Sequence, residues 1–174
     1  MRAKKIEGIE FVRFSEEFKE IKLVKEQKKH YLELLLLGDE QESMIDRYLE
    51  EAELFVWQKG AEAIAVACVT DEGAGVCELK NLAVKSSYQR KGFGKRFLNY
   101  LFEYFKNDFR LMLVGTGESK STMAFYESCG FRYSHRVKNF FLENYDHLIF
   151  EDGCFLRDMV FFKKELKTAI SGRK

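Results

Sequence analysis

The clearest pattern in the chain runs from position 93 to 105. There Phe93, Phe97, Leu98, Leu101, Phe102 and Phe105 recur at helical spacing, which predicts an amphipathic helix over Phe93 to Phe105. Before it, Val76 to Val84 is short, apolar and β-branched at its ends, and reads as a strand. Leu54 to Gln58 and Ala61 to Thr70 read as a hairpin around Lys59-Gly60, with a further turn at Asp71-Glu72-Gly73. Nearer the N-terminus the pattern predicts a short strand at Ile9 to Phe14 within an uncertain lead-in over 1–17, and a strand at Lys19 to Val24. A helix from Glu26 to Leu37 follows, broken by Gly38-Asp39, and then a second helix from Gln41 to Glu51 with Met44, Ile45, Tyr48 and Leu49 on one face. After the long helix, Arg110 to Gly115 reads as a buried strand and Ser119 to Cys129 as a short helix closed by Gly130. Phe131 to Phe141 and Arg157 to Lys163 read as strands around a long acidic loop, Leu142 to Gly153, and Lys164 to Lys174 reads as a frayed tail. This order predicts a single α/β domain over 1–174, one twisted sheet with helices covering its faces.

Composition narrows the class. With 174 residues, 46% apolar and 33% charged, the chain can bury a core without metals or crosslinks. A net charge of +1 argues against a general nucleic-acid binder, and no apolar run approaches membrane-spanning length. The basic start (Arg2, Lys4, Lys5) lacks the apolar segment of a secretion signal, so a cytoplasmic location is expected. The four cysteines form no CxxC and the three histidines give no zinc spacing. They read as small buried thiols in a reducing compartment, with no metal expected. The chain contains no proline, and we have no functional account of that.

Chemistry concentrates at Gln89-Arg90-Lys91-Gly92-Phe93-Gly94, between the strand and the long helix. A glycine-bearing turn feeding a helix start leaves several backbone N–H groups unpaired at the positive end of the helix dipole. That is a site for phosphate or pyrophosphate. Gly92 and Gly94 lack a Cβ, which lets a ligand approach the backbone, and Arg90, Lys91, Lys95 and Arg96 add positive charge. The turn lacks the Lys-Ser/Thr ending of a P-loop, and no acidic residue follows a second strand in dinucleotide-binding fashion.

Taken with its flanks, the turn is more specific. Cys77-Glu78-Leu79-Lys80-Asn81-Leu82-Ala83-Val84 followed by Gln89 to Gly94 resembles the acetyl-CoA-binding core of the GCN5-related N-acetyltransferase (GNAT) superfamily. Ala124-Phe125-Tyr126-Glu127-Ser128-Cys129-Gly130-Phe131 resembles that superfamily's second signature, and the two together span roughly residues 76–132. The resemblance implies the GNAT fold, α/β (α+β), with a central, mostly antiparallel mixed sheet of six to seven strands and helices on both faces. It implies acetyl-CoA as cosubstrate. The N–H groups of Gln89, Arg90, Lys91, Gly92, Phe93, Gly94 and Lys95 would cradle the pyrophosphate, and Leu82, Ala83 and Val84 would lie along the pantetheine arm. Ser119 and Ser121, with Lys120 between them, would touch pantetheine or phosphates.

The same resemblance assigns proton work. About one protonated amine in a few thousand is neutral at pH 7, so a positioned base matters. Glu78, eleven positions before Gln89, matches the general-base glutamate of protein-lysine acetyltransferases in the superfamily. It reads equally as a strand residue that anchors a cationic substrate or faces solvent. Tyr126 matches the tyrosine that protonates the departing thiolate, against a reading as a core tyrosine. Cys129 reads as structural. Glu118 departs from the family, since many relatives place a pantetheine-contacting asparagine there; an acid would turn away toward the acceptor or solvent.

The acceptor site implied by the fold draws Glu33, Asp39, Glu40 and Glu42 from the first helices and Glu143, Asp146, Glu151 and Asp152 from the last loop. Tyr31, Tyr48, Phe140, Phe141 and Tyr145 accompany them. Acids among aromatics suit a cationic amine such as a polyamine, an aminoglycoside or a lysine side chain, with a small cationic primary amine as the expectation; an ordinary solvated acidic surface is the plainer reading. Three alternatives stay open: a CoA-binding regulator or pseudoenzyme, a protein lysine or N-terminal acetyltransferase, and an unrelated nucleotide binder. A homodimer through Phe155 to Phe162 is an open expectation, as is an interior strand there.

Overall fold

The structure, a computed structural model, describes residues 20–166. The expected strand at Ile9 to Phe14, and most of the expected tail, lie outside them. The chain begins with β1 (Ile21–Val24), a single 3-10 turn (Lys28–Tyr31), α1 (Leu32–Gly38) and α2 (Glu42–Ile45). Next come β2 (Glu53–Lys59), β3 (Glu62–Gly73), β4 (Val76–Val84), a second 3-10 turn (Ser86–Tyr88) and α3 (Phe93–Phe105). β5 (Leu111–Gly117), α4 (Lys120–Ser128), β6 (Arg132–Val137) and α5 (Phe140–Asn144) follow, then β7 (Phe150–Glu151), β8 (Cys154–Phe155) and β9 (Met159–Glu165).

Seven strands form one sheet in the order β1-β2-β3-β4-β5-β9-β6, with β7 and β8 a separate hairpin. All neighbours are antiparallel except β4 and β5, which run parallel. The amphipathic α3 buries Phe97, Leu98, Leu101 and Phe105 against Phe55 and Trp57 on one face of the sheet. On the other face, Leu35, Ile45 and Leu49 pack on Leu54, Val56, Val66 and Ala83. β9 lies between β5 and β6 with Val160 and Phe162 buried, so this strand of the phenylalanine-rich segment is interior.

Several expected boundaries shift, each for a physical reason. The first helix does not begin at Glu26: Gln27 adopts a left-handed φ of 52°, a 3-10 turn intervenes, and the α-helix starts at Leu32. The second helix stops at Ile45 instead of Glu51. After it the bonding tightens to i−3 turns, Arg47 N to Met44 O (3.2 Å) and Tyr48 N to Ile45 O (3.1 Å), and the Lys28 ammonium takes the carbonyls of Leu49, Glu50 and Ala52 (3.0, 2.7 and 2.7 Å) that close the segment. β3 runs on through Asp71 and Glu72, and the turn falls at Gly73-Ala74-Gly75, all at positive φ. The strand expected to reach Phe141 ends at Val137, because Asn139 turns left-handed (φ 57°) and its N–H bonds Asp158 Oδ1 (3.0 Å), starting α5. The acidic loop contains a hairpin turning at Asp152-Gly153 (φ 52° and 71°), the left-handed pair that a two-residue turn demands. Cys154 on this hairpin is exposed, unlike the other three cysteines.

Candidate active site in the split between two parallel strands

β4 and β5 pair only from Val76–Leu111 to Leu79–Val114. Beyond that, β4 stays with β3 through Val84, and β5 stays with β9 through Gly117. The two strands therefore diverge, and each presents an unpaired main-chain edge to the gap between them. A β-bulge contributes to the opening: Leu79 faces Val69 and Asn81 faces Cys68, leaving Lys80 as the extra residue. The bulge also reverses side-chain parity. Cys77 and Leu79 pack on the α3 side, as do Leu82 and Val84 after it, whereas Asn81 and Ala83 face α1.

On the α3 side a groove of about 590 Å³ is lined by Leu82, Val84, Gln89, Arg90, Gly92 to Lys95, Ser121, Phe125 and Tyr126. Gly92 caps α3 with φ 82°, which L side chains rarely adopt, and the first helical bond runs from Arg96 N to Gly92 O (3.1 Å). The N–H groups of Phe93, Gly94 and Lys95 thus have no acceptor within the helix and stand at its positive end. Gly94 serves packing: a Cβ there would stand 3.2 Å from the Phe125 ring. Gln89 folds back to Val84 O (2.8 Å) and Lys91 to Ser87 O (2.8 Å), fixing the turn. Lys95 Nζ reaches Ser128 O (3.2 Å), tying α3 to α4. A deep apolar wall, an open strand edge and an electropositive turn in one groove fit a long ligand with an anionic end and a peptide-like arm.

The expected residues of α4 divide. Ser119 is buried; its oxygen accepts the Thr122 N–H, and it gives its proton to Asp152 Oδ2 (2.6 Å). It is a helix cap and not a surface of the groove. Ser121 lines the groove, although its N–H also bonds Asp152 Oδ2 (2.9 Å). Those bonds hold the Asp152 carboxyl down at about 2. Ala83 contributes main chain only, its side chain being packed in the α1 core. Glu118 turns away to Arg136 (2.6 Å), which also holds the buried Asp158 (3.1 Å).

Tyr126 is buried against Phe125 and Phe131, with centroids at 5.2 and 5.6 Å. It lines both this groove and the chamber within the split, and among the described residues none bonds its hydroxyl. Burial pushes its pKa up, with Cys129 and Glu151 adding to the shift, so the phenol keeps its proton. The Cys129 thiol is buried and likewise raised by burial, which leaves it a poor nucleophile.

Across the split, the chamber continues into a cavity beside α2 and α5. Glu78 lines it, with Oε2 paired to Lys80 Nζ at 2.8 Å; Lys80 also approaches Glu72 Oε1 at 3.5 Å. Glu78 and Tyr126 thus sit on opposite sides of the diverging strands and share no cavity. Of the other acids, Asp39 lines both the chamber and the cavity, and Glu40 and Glu151 line the chamber. Glu33 and Tyr31 face a separate surface cleft beside Lys85, Glu42 binds Lys29, and Glu143 and Asp146 lie outside both cavities. Glu51, Asp71, Glu72, Arg47 and Asn81 belong to these cavities without having been singled out from sequence. Asn81 alone carried a signal, as a polar residue in an apolar strand. Its Nδ2 donates to Leu35 O (2.9 Å) and the Tyr48 hydroxyl (3.0 Å). Gly38 lies so close that a Cβ there would stand 2.4 Å from Asn81 Oδ1.

Among the described residues no group of three or more His, Cys, Asp or Glu side chains is placed to hold a metal ion, and no described helix is long and apolar enough to cross a membrane. Comparison with known proteins agrees with the geometry. The profile of the Acetyltransferase (GNAT) family matches residues 13–131. The chain is 37% identical to the uncharacterized N-acetyltransferase YvbK of Bacillus subtilis, over 80% of this chain and 92% of that protein. Its fold superposes on a Bacillus subtilis acetyltransferase solved in complex with CoA (TM-score 0.77, 35% identity, 83% of this chain and 97% of the other). It also superposes on a GNAT family acetyltransferase from Elizabethkingia anophelis solved with acetyl-CoA bound (TM-score 0.79, 31% identity, 83% and 96%). The chain belongs to the GNAT family of acetyltransferases.

Proposed function

We propose that this protein is an acetyl-CoA-dependent N-acetyltransferase whose acceptor is a primary amine on a small cationic molecule. The α3 groove fits the donor: Gln89 to Lys95 would hold its pyrophosphate, and the free β4 edge at Leu82 to Val84 would lie along its pantetheine arm. The donor supplies an acyl thioester. The residues of the chain bring an amine to it and manage two protons. Glu78 takes a proton from the acceptor ammonium through Oε1, its Oε2 being held by Lys80. Tyr126, kept protonated by burial, gives a proton to the departing sulfur. A C–N bond forms and a C–S bond breaks, with no acyl-enzyme, and the second proton that the nitrogen sheds as the amide forms restores the Tyr126 hydroxyl.

The observation that carries the acceptor class is the cavity on the Glu78 side. Five carboxylates (Asp39, Glu51, Asp71, Glu72, Glu78) line it against two cations, Arg47 and Lys80. Its mouth is strapped. Arg47 bonds Asn144 Oδ1 (2.8 Å), the Tyr145 hydroxyl bonds Asp39 Oδ1 (2.9 Å), and Asp146 N bonds Gln41 Oε1 (2.9 Å). These contacts lay the α5 segment over the α1–α2 connection, which favours a slender small molecule over a lysine on a folded protein.

The test combines donor binding with an acceptor panel. Saturating acetyl-CoA, at about a hundred times its dissociation constant, should stabilise the fold by about 2.7 kcal/mol in a thermal shift, and ATP should not. Alkylamines, amino acids, neutral amines and lysine peptides are then offered, with thiol release and product mass recorded. Turnover confined to neutral or acidic acceptors would sink the cationic reading, and stabilisation without turnover of any amine would favour a regulator.

A further inference from the structure

Two hydrogen-bond acceptors in the chamber lack donors. Asn81 is 3% exposed, and with its Nδ2 fully engaged its Oδ1 has no partner among the described residues. The Nδ2 bond to a carbonyl fixes the amide orientation, so the bare atom is the oxygen and not a donor nitrogen. Beside it, across Gly38, stands Asp39, partly buried at the C-terminal end of α1. Asp39 Oδ1 accepts from the Tyr145 hydroxyl (2.9 Å) and weakly from Gln41 N (3.4 Å), while Oδ2 takes no hydrogen bond among the described residues. No ammonium or guanidinium reaches this carboxylate within ion-pair distance among them. Burial pushes the Asp39 pKa up, as expected of a carboxylate short of positive charge.

We infer that Asp39 and Asn81, with Tyr145 orienting the carboxylate, form a seat for a second ammonium of the acceptor, so that the preferred acceptor is a diamine or polyamine. The seat is separate from Glu78, whose carboxylate is already paired to Lys80. It belongs to the same chamber as Leu82 and Tyr126. A slender diamine can therefore place one nitrogen at Asp39 while the other faces the split. An ammonium supplies three donors, enough for Asp39 Oδ2 and Asn81 Oδ1 together.

This inference rests on the proposed amine acceptor, and the experiment separates the two by using binding for the seat and turnover for the reading. Calorimetric titration of 1,4-diaminobutane and of 1-aminobutane into the protein–CoA complex compares two ligands with the same four-carbon chain that differ by one terminal ammonium. The diamine should bind about tenfold tighter or more, the worth of one added charge-assisted hydrogen bond. Asp39→Asn should bring that ratio close to one. Tyr145→Phe, which keeps the ring and removes only the hydroxyl, should reduce it partway and serves as the measure if Asp39→Asn folds poorly. Equal binding of the two amines, or a preference that survives both substitutions, overturns the seat. A diamine that binds with the expected preference but is not acetylated leaves the seat standing and overturns the acceptor reading.

Discussion

The two halves of the cleft are built on different principles. The α3 side is made mainly of consecutive main chain: the edge of β4, the turn at Gln89 to Gly92, and the first N–H groups of α3. The acceptor side is made of side chains from segments far apart in sequence, held together by bonds such as Arg47 to Asn144 and Tyr145 to Asp39, which span 97 and 106 residues. A main-chain site tolerates change in most side chains and recognises what every such donor shares, a phosphate and an amide-bearing arm. A side-chain site can be rewritten residue by residue. On the proposed reading, the donor half rests on main chain common to the fold, and specificity for the acceptor would rest on the side chains of the other half.

The sharpest test of this division is Tyr126→Phe. The ring packs as before against Phe125 and Phe131, and only the hydroxyl facing the chamber is lost. A general acid is typically worth about 10²–10⁴-fold, so kcat should fall by at least about 10² while acetyl-CoA binding stays the same. A kcat within a factor of about three of the wild type would return Tyr126 to a packing role. Glu78→Gln should cost about 10² in kcat/KM for the amine, again with donor binding unchanged. The substitution also releases Lys80 toward Glu72, so Lys80→Met should be made in parallel. If the two variants lose activity equally, the ion pair matters and the base does not.

A smaller effect is expected where main chain carries recognition. Gly92→Val forces a β-branched residue to φ 82°, at a strain of about 1–2 kcal/mol or more, and should weaken acetyl-CoA binding about tenfold. Arg90→Ala, which removes an exposed charge from the same turn, should cost less at physiological salt. If Arg90→Ala proves the worse of the two, side-chain charge and not backbone geometry dominates the donor half.

This contrast also explains what could be read from sequence. β4 and α3 begin and end where their periodicity places them, because strand alternation, the glycine cap and an apolar stripe are local properties. Tyr126 and Glu78 are singled out through the family resemblance, Tyr126 by its helix ending in Gly130-Phe131 and Glu78 by its place eleven positions before Gln89, and their roles are the proposed ones. The acceptor half escaped wherever long-range contacts overrode local pattern. Lys28 reads as a surface lysine, yet it is buried and takes the carbonyls of Leu49, Glu50 and Ala52, which close the segment after α2. Phe140 and Phe141 read as a strand continuing from Phe131, yet Asp158 captures the Asn139 N–H and turns the chain into α5. The Asp152-Gly153 turn carried a readable signal that the surrounding acids obscured. The seat at Asn81 showed only as a polar residue in an apolar strand, since an orphaned oxygen exists only once Leu35 and Tyr48 have claimed the amide nitrogen.

The smallest effects concern two aspartates, Asp152 at the start of α4 and Asp39 at the end of α1, that should respond to acid in opposite directions. Asp152 is held at about 2 by the Ser119 and Ser121 donors, below the usual carboxylate value near 3.9. Its contribution is therefore present above about pH 4 and is lost as pH falls toward about 2. Asp152→Asn should lower Tm slightly at pH 7, and the difference from wild type should vanish in that acidic window. Asp39 is raised by burial, so its folded form binds a proton more readily than the unfolded chain does. It costs stability once pH rises above the unfolded value near 3.9, and Asp39→Asn should then raise Tm slightly at pH 7 and change nothing well below pH 4. A carboxylate whose removal stabilises the fold is kept for something other than the fold. If Asp39→Asn instead lowers Tm at pH 7 by as much as Asp152→Asn does, Asp39 is a strut between α1 and α5 and the acceptor half is as structural as the donor half.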